Sequence, residues 1–180
     1  ALEFSHGLRA ISRQQRGRPA RIDVGEAVSD LMPELRRALG PKVLLDHVPA
    51  REPCAAMIDP SHLRVVMLDL TTNARDAMPD GGRCRIEMGM ADLDPDAAME
   101  LAAQPGRYVR LVVRDSGSGI PHEVLPHLFE PFFSTKGSAG GSAGLGLATL
   151  YALVSQYGGC VTVTSEPGDT AFDVLLPSPQ

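Results

Sequence analysis

The sequence holds little of what marks several common protein classes. Its 180 residues include three cysteines and no tryptophan, and no Cys-x-x-Cys pair occurs. Neither a structural zinc site nor a disulfide framework is therefore indicated, and small buried residues in a reducing compartment are the simpler interpretation of the cysteines. No apolar run is long enough to span a membrane, and no signal peptide opens the chain. The length allows one domain with a proper core and is short for two.

Positive charge is also scarce. Seventeen Lys and Arg residues against 22 Asp and Glu give a formal net charge of −5. Because nucleic-acid binding needs a basic footprint, we expect no nucleic-acid partner. A site for any other polyanion must then rely on local geometry and a metal ion rather than on a general positive field.

A basic, proline-containing linker predicts a domain boundary near the start of the chain. Residues 1–14 place Leu2, Leu8 and Ile11 at roughly helical spacing, and the string RQQRGRPAR follows at 13–21. We expect residues 1–21 to form the end of a helix plus the linker, and residues 22–180 to form the folded domain. The chain opens inside this helical pattern without Met, so we expect a fragment, whose parent could be membrane-anchored.

Helices and short strands are intermixed beyond the linker. Periodicity and stop signals predict helices at 25–39, 60–78 and 144–157, with a short helix near 122–127. Strands are predicted at 42–48, 54–58, 83–91, 108–115, 160–165 and 171–176. A surface excursion that could include a helical turn is expected at 92–106, and a glycine- and serine-containing loop at 134–143. Consecutive strands are close enough to pair as hairpins, which predicts an α/β (α+β) two-layer sandwich with one mixed sheet and helices on one face.

The predicted helix at 60–78 carries polar side chains along one edge of its apolar stripe. Asp69, Asn73 and Asp76 fall at i, i+4 and i+7. Mg²⁺ prefers hard oxygen ligands and commonly takes one or two protein groups plus substrate phosphates, so the Asn73 carbonyl is a sensible ligand. Asp69 could orient a metal-bound water or accept a proton. A solvated helix flank with a C-terminal cap explains the same pattern equally well.

A DxGxG turn follows the predicted strand at 108–115. Asp115 continues the core-facing row of that strand, where a carboxylate needs a hydrogen-bond donor. The exocyclic amine of adenine would supply one. Gly117 and Gly119 permit backbone angles and a close approach that side chains would forbid. The alternative is a tight turn in which Asp115 caps its own backbone.

A glycine-rich loop leads into the last predicted helix. Gly144 and Gly146 open this helix, and its first amides have no partner within the helix. Such a terminus binds phosphate through free N–H groups and the helix dipole. Lys136 lies at the start of the loop, where its ammonium could reach a phosphate. An ordinary flexible linker is the alternative.

These motifs, in this order and at these separations, resemble the N, G1, F and G2 boxes of the histidine-kinase catalytic domain. That domain belongs to the superfamily of gyrase, Hsp90, histidine kinases and MutL. The similar strings are NARDAM, DSGSG, FEPFFSTK and GLGLA, and the resemblance covers about residues 26–177. FEPFFSTK is the most discriminating, because gyrase, Hsp90 and MutL proteins differ there, while NARDAM and GLGLA are similar to the nitrogen-regulator branch of sensor kinases.

The resemblance implies a Bergerat-type sandwich with a mobile ATP lid, and ATP and Mg²⁺ as cofactors. It implies that Asn73 is the Mg²⁺ ligand, that Asp69 and Asn73 are the catalytic pair, and that Asp115 holds the adenine amine. The residues implied to bind the nucleotide are Asn73, Asp76, Asp115, Gly117, Gly119, Lys136, Gly144, Leu145, Gly146 and Thr170.

Three positions depart from the family pattern. Asp69 stands where the family usually has Asn, and a carboxylate near phosphates repels them unless Mg²⁺ intervenes. Ser142 and Ala143 replace a glycine and a hydroxyl residue of the second glycine box. The glycine that usually precedes the threonine at Thr170 is missing.

The function implied is transfer of the ATP γ-phosphate to a histidine outside this chain. The partners implied are the dimerisation and phosphotransfer helical hairpin of the same or a partner subunit, whose end would be residues 1–14, and a response-regulator receiver domain. We expect a cytoplasmic domain, monomeric as a fragment, from a homodimeric parent. The five histidines lack the sequence context of a phosphoacceptor. Two alternatives stay open: a non-catalytic nucleotide-sensing (pseudokinase) module of a phosphorelay, and a serine kinase of the anti-sigma type.

Overall fold

The computed structural model describes residues 17–133 and 145–179. In chain order the elements are β1 (Ala20–Asp23), α1 (Val24–Leu39), β2 (Val43–Val48), β3 (Ala55–Ile58), α2 (Pro60–Ala77), β4 (Gly82–Leu93), α3 (Pro95–Glu100), β5 (Gly106–Asp115), a 3₁₀ turn (Leu125–His127), α4 (Gly146–Gln156), β6 (Cys160–Glu166) and β7 (Asp169–Pro177). The predicted helices and strands are thus present, with ends that differ by a few residues.

Five strands form one mixed sheet in the order β2-β4-β5-β7-β6. β2 runs parallel to β4, and the remaining neighbours are antiparallel. The expectation that consecutive strands pair as hairpins holds for β4–β5 and β6–β7. It is wrong for β2 and β3, because β3 pairs instead with β1 in a separate two-stranded ladder.

The helices α1, α2 and α4 pack on one face of the sheet and bury their apolar stripes there, so the predicted two-layer sandwich is confirmed. The side chains of β5 alternate between the two faces of the sheet. Leu111 and Val113 are buried toward the helices, while Arg110 and Arg114 face outward and pair with acidic residues of β7. An apolar stripe on each helix and a half-buried sheet are what the hydrophobic effect requires of a domain of this size.

The first described residues belong to the domain rather than to a free linker. β1 begins at Ala20, two residues before the predicted boundary, and pairs along its length with β3. Just before it, Gly17 lies so close to the buried His62 ring that a Cβ at position 17 would overlap it. Asp59 accepts a hydrogen bond from the Arg18 amide and also caps α2. The division into residues 1–21 and 22–180 itself stays a prediction.

The predicted surface excursion at 92–106 is more regular than expected. β4 continues to Leu93, and its pairing with β5 extends to the partners Leu93 and Gly106. Between them, the helical turn that the sequence allowed is present as the short α3, which Asp94 caps by accepting from the Ala97 amide at 2.8 Å. The acidic composition concealed this order, since the extended ladder is held by cross-strand backbone bonds rather than by apolar side chains.

Candidate nucleotide-binding site

A cavity of about 340 Å³ lies between α2, the turn after β5, the start of α4 and β7. Its polar lining includes residues from all three sequence motifs. The lining residues are Asp69, Thr72, Asn73, Asp76, Ala77, Asp115, Ser118, Gly119, Ile120, Pro121, Val124, Leu128, Phe133, Gly146, Leu147, Thr170 and Phe172. The volume is within the range of small-molecule and cofactor sites.

The edge of α2 supplies the acidic and amide groups of this cavity. The adjacent apolar stripe of the helix is buried in the core through Leu63, Met67 and Leu70, and the Asp69–Asn73–Asp76 edge beside it lines the cavity. Of the two interpretations of this edge, the structure therefore favours the lip of a cavity over a solvated flank. Asp76 accepts a hydrogen bond of 2.7 Å from the Arg75 guanidinium.

The pKa of Asp69 departs strongly from that of an exposed carboxyl. Burial raises the pKa of its carboxyl from 3.8 to about 6. The carboxyl faces the beginning of α4, since a Cβ on Gly146 would lie 3.7 Å from its Oδ1. A carboxylate poised near neutral pH beside a helix N-terminus can change its charge under ordinary conditions, which is what acid–base chemistry or charge-dependent ligand binding requires.

Asp115 ends β5 and is only 4% exposed. Burial raises the pKa of its carboxyl, the hydrogen bond from the Gly117 amide lowers it, and the nearby Asp169 charge raises it, with a net rise. The Gly117 amide donates to Asp115 Oδ1 at 2.9 Å, so the backbone cap proposed as the alternative is present. Asp115 nevertheless lines the cavity, so the two interpretations of the turn are compatible.

Two turns pack together to form the wall next to Asp115. A Cβ on Gly117 would lie 2.6 Å from Ala77 Cβ, and Gly119, with φ +79°, lies against the backbone of Glu166 and Pro167. The Gly168 amide donates to the Gly117 carbonyl at 2.8 Å. The two glycines of DxGxG are therefore required for contact with α2 and with the β6–β7 turn, a reason that differs from the expected approach of a flat base.

α4 begins at Gly146, and its N-cap residue Leu145 makes no side-chain capping bond. Gly146 and Leu147 line the cavity, so the first amides, which have no partner within the helix, and the positive end of the helix dipole lie there. Phosphate binding at this end stays a prediction. The predicted ligands Lys136 and Gly144, and the replacements Ser142 and Ala143, lie outside the described residues.

Thr170 lies at the cavity, although the glycine that usually precedes this threonine in the family pattern is missing. It is 2% exposed, lines the cavity and is the direct cross-strand partner of Asp115 in the β5–β7 ladder. Its hydroxyl lies 2.7 Å from Ser165 Oγ, which also accepts a 2.8 Å hydrogen bond from the Ile120 amide. The structure thus brings Thr170 and Asp115 together, although the role of each stays a prediction.

Sequence reasoning missed the apolar part of the lining. Ile120, Pro121, Val124, Leu128 and Phe172 give the cavity the hydrophobic surface on which a flat ring can lie. Two signals could have pointed to them. Phe172 shares a strand face with Thr170, and Ile120-Pro121 follows the DxGxG turn directly.

The donor set of α2 suits one kind of metal ion. Asn73 offers an amide oxygen between the carboxylates of Asp69 and Asp76, all hard oxygen groups of the kind that Mg²⁺ prefers. In residues 17–133 and 145–179, no group of three or more His, Cys, Asp or Glu side chains could hold a metal ion. An ion that shares one or two protein ligands with nucleotide phosphates fits this arrangement, and an ion held in an all-protein cage does not.

The model of the histidine kinase-, DNA gyrase B-, and HSP90-like ATPase family matches residues 58–180. The chain belongs to this family and is an ATP-binding catalytic domain of the sensor histidine kinase type. Among the residues that the structure describes, none of the helices has the length and apolar character needed to cross a membrane.

Individual relatives are sensor kinases. The chain is 36% identical over 172 residues to the sensor kinase CckA of Brucella abortus (strain 2308). The matched region covers 94% of this chain and 18% of that protein. The chain is 32% identical over 177 residues to the sensory histidine kinase/phosphatase NtrB of Rhizobium meliloti (strain 1021), covering 87% and 45%. The mycobacterial sensor histidine kinase MprB has a similar structure, with a TM-score of 0.67, 25% identity, and 91% and 100% of the two chains covered. The chain thus spans less than half the length of these two curated relatives.

Proposed function

We propose that this domain binds Mg·ATP and presents its γ-phosphate to a histidine that lies outside the chain. The observation that supports this most strongly is the convergence of Asn73, Asp115 and the uncapped start of α4 on one cavity. An amide oxygen, a base-facing carboxylate and an anion-binding helix end are the three groups that a magnesium nucleotide needs.

We assign each end of the nucleotide to one end of the cavity. Asp115 and Thr170, beside the apolar surface of Ile120 and Phe172, would bind the base. The start of α4 at Gly146 would bind phosphate oxygens through its free amides. Mg²⁺ would be held by Asn73 and would neutralise phosphate charge there. These residues do little covalent chemistry, because phosphoryl transfer depends mainly on positioning and charge stabilisation.

Asp69 would control the charge at the phosphate end. Burial raises the pKa of its carboxyl to about 6, so it would be mostly ionised at neutral pH, where it could orient a water in the coordination shell of the metal or accept a proton. With no cation present, the same negative charge would repel phosphates. The departure from Asn at this position would therefore make nucleotide binding more dependent on the divalent cation than in an Asn-containing domain.

The partners follow from the reaction. The phosphoryl group would pass to a histidine on the helical hairpin of the same or a partner subunit, and then to a response-regulator receiver domain. We infer a homodimeric parent for this reason. We place the domain in the cytoplasm, where ATP is available.

Phosphorylation of the intact parent with γ-labelled ATP tests this function. We expect an acid-labile, alkali-stable phosphoprotein in the wild type, as for phosphohistidine, and no label in Asn73→Ala. Nucleotide binding without any label would favour the non-catalytic module. An acid-stable phosphoserine, on the parent or an added partner, would favour the anti-sigma type of serine kinase. Either of these two results would contradict the proposal.

A further inference from the structure

The hydroxyl of Ser165 connects the two turns that form the base end of the cavity. Ser165 lies on β6, opposite Thr170 of β7 in the hairpin register. Its Oγ accepts a 2.8 Å hydrogen bond from the Ile120 amide, and it lies 2.7 Å from Thr170 Oγ1. Ile120 and Thr170 both line the cavity, but Ser165 itself does not. It therefore acts on the cavity only through its two partners.

Either hydroxyl could donate in the Ser165–Thr170 hydrogen bond, and proton accounting favours Ser165 as the donor. Each hydroxyl has one proton to donate and can accept two. The Ile120 N–H already donates to Ser165 Oγ. In the part of the chain that the structure describes, Thr170 Oγ1 is an acceptor within hydrogen-bond distance of Ser165 Oγ. If Ser165 donates to Thr170, both Ser165 bonds are satisfied and the Thr170 proton stays available for the cavity.

If Ser165 donates to Thr170, the cavity has a hydrogen-bond acceptor, Asp115, beside a donor, the Thr170 hydroxyl. Asp115 and Thr170 are direct cross-strand partners, and both are more than nine-tenths buried at the cavity. The ionised Asp115 carboxylate only accepts hydrogen bonds, while Thr170 would donate. Adenine presents an amine donor next to its N1 acceptor. Guanine presents the reverse, with the O6 acceptor next to an N1–H donor.

We propose that Ser165 is a positioning residue for base specificity, which orients the Thr170 hydroxyl as a donor beside Asp115 and so favours adenine over guanine. This inference rests on the proposed function, because it assumes that the cavity binds a nucleotide. The wall is rigid enough for such a role. Gly119 lies against the backbone of Glu166 and Pro167, and the Gly168 amide bonds the Gly117 carbonyl. A hydrogen-bonding site that is held rigidly in this way can discriminate between one base and another.

The test is isothermal titration of the 180-residue chain with Mg·ADP and Mg·GDP. Ser165→Ala should raise the Kd for ADP about tenfold, the effect of one lost hydrogen bond, and leave the weaker Kd for GDP unchanged. Ser165→Thr keeps the hydroxyl and should bind ADP within about twofold of the wild type. Ser165→Cys keeps the volume but weakens the donor, so it should show the same loss of ADP affinity. It replaces Ser165→Ala in the test if that variant does not fold.

Ser116→Ala is the matched control. Ser116 lies in the turn after β5, next to Asp115, and its Oγ accepts from the Arg83 amide at 3.0 Å, away from the cavity. It should leave the ratio of ADP to GDP affinity unchanged. An equal loss for ADP and GDP in Ser165→Ala, or no loss for ADP, would overturn the inference while the proposed function stood. A wild-type chain that binds neither nucleotide would overturn both.

Discussion

At the scale of single residues, Asp69 is the acid of the cavity whose pKa makes a testable difference to stability and binding. Its carboxyl lies within the cavity near the N-terminus of α4, and burial raises its pKa from 3.8 to about 6. The resemblance described above implies Asn at this place, so the negative charge is a departure from that pattern. It costs folding free energy whenever the carboxyl is ionised and no cation is bound.

Asp69→Asn should therefore stabilise the domain in a pH-dependent way. A folded-state pKa raised above the unfolded value favours folding below about pH 4, and this advantage is lost as the pH rises through about 6. At pH 8, after allowing for partial solvent exposure, we expect Asp69→Asn to be more stable by about 1 kcal/mol, or about 3 °C in Tm. At pH 4 the difference should vanish.

Thermal melts of the nucleotide-free, metal-free chain at the two pH values measure this effect. Asp30→Asn is the control, because Asp30 is exposed on α1 and the substitution removes the same charge. A gain in Tm that is equal at pH 4 and pH 8, or equal for both variants, would show that the buried carboxyl is not its cause.

At the scale of elements, the cavity depends on the packing of one turn against a helix and a hairpin. The turn 115–119 contacts the end of α2 through Gly117 and the β6–β7 turn through Gly119. The Ser118 amide also donates to the Ala77 carbonyl at 3.0 Å, which fixes the turn on the helix that carries Asn73. The distance between Asp115 and Asn73 is thus set by backbone contacts rather than by flexible side chains.

Gly117→Ala should disturb this packing, whereas Gly168→Ala should not. A Cβ at 117 would lie 2.6 Å from Ala77 Cβ and 2.7 Å from the Ala77 carbonyl, so the turn must move. We expect a loss of about 2 kcal/mol and much weaker nucleotide binding. Gly168, with φ +87°, has open space around its Cβ position, so alanine there should cost about 1 kcal/mol of backbone strain and leave binding unchanged. Urea unfolding and titration with nucleotide measure both quantities, and equal binding by the two variants would contradict this account.

Some elements were readable from the sequence for clear reasons. α2 follows Asp59-Pro60, a cap and a first-turn proline, and its 3.6-residue stripe predicts which edge faces the cavity. β1 was missed because four residues give no usable periodicity, and its pairing with β3 is decided by tertiary structure. Ser165 was missed because its importance depends on the hairpin register that places it opposite Thr170. Apolar lining residues look like core residues until the cavity is seen.

At the scale of the whole molecule, a chain with a net charge of −5 binds a polyanion by local arrangement. The outward face of the sheet pairs its arginines with acidic residues, as in Arg110–Asp173 and Arg114–Asp169, and offers no broad positive surface. The cavity instead gathers a helix end, an amide and an acid from α4, α2 and β5 on the helical side of the sandwich. The central claim is that these three elements act together on one magnesium nucleotide.

Isothermal titration with a non-hydrolysable ATP analogue and Mg²⁺ tests that claim most directly. Asn73→Ala and Asp115→Ala should each weaken binding by at least about 30-fold, because each removes a charged or metal-linked contact. Their melting temperatures without nucleotide should stay within about 5 °C of the wild type. Asp46→Ala, which removes an outward-facing carboxylate paired with Arg83, should bind as the wild type does. Tight binding retained by both Asn73→Ala and Asp115→Ala would contradict the claim.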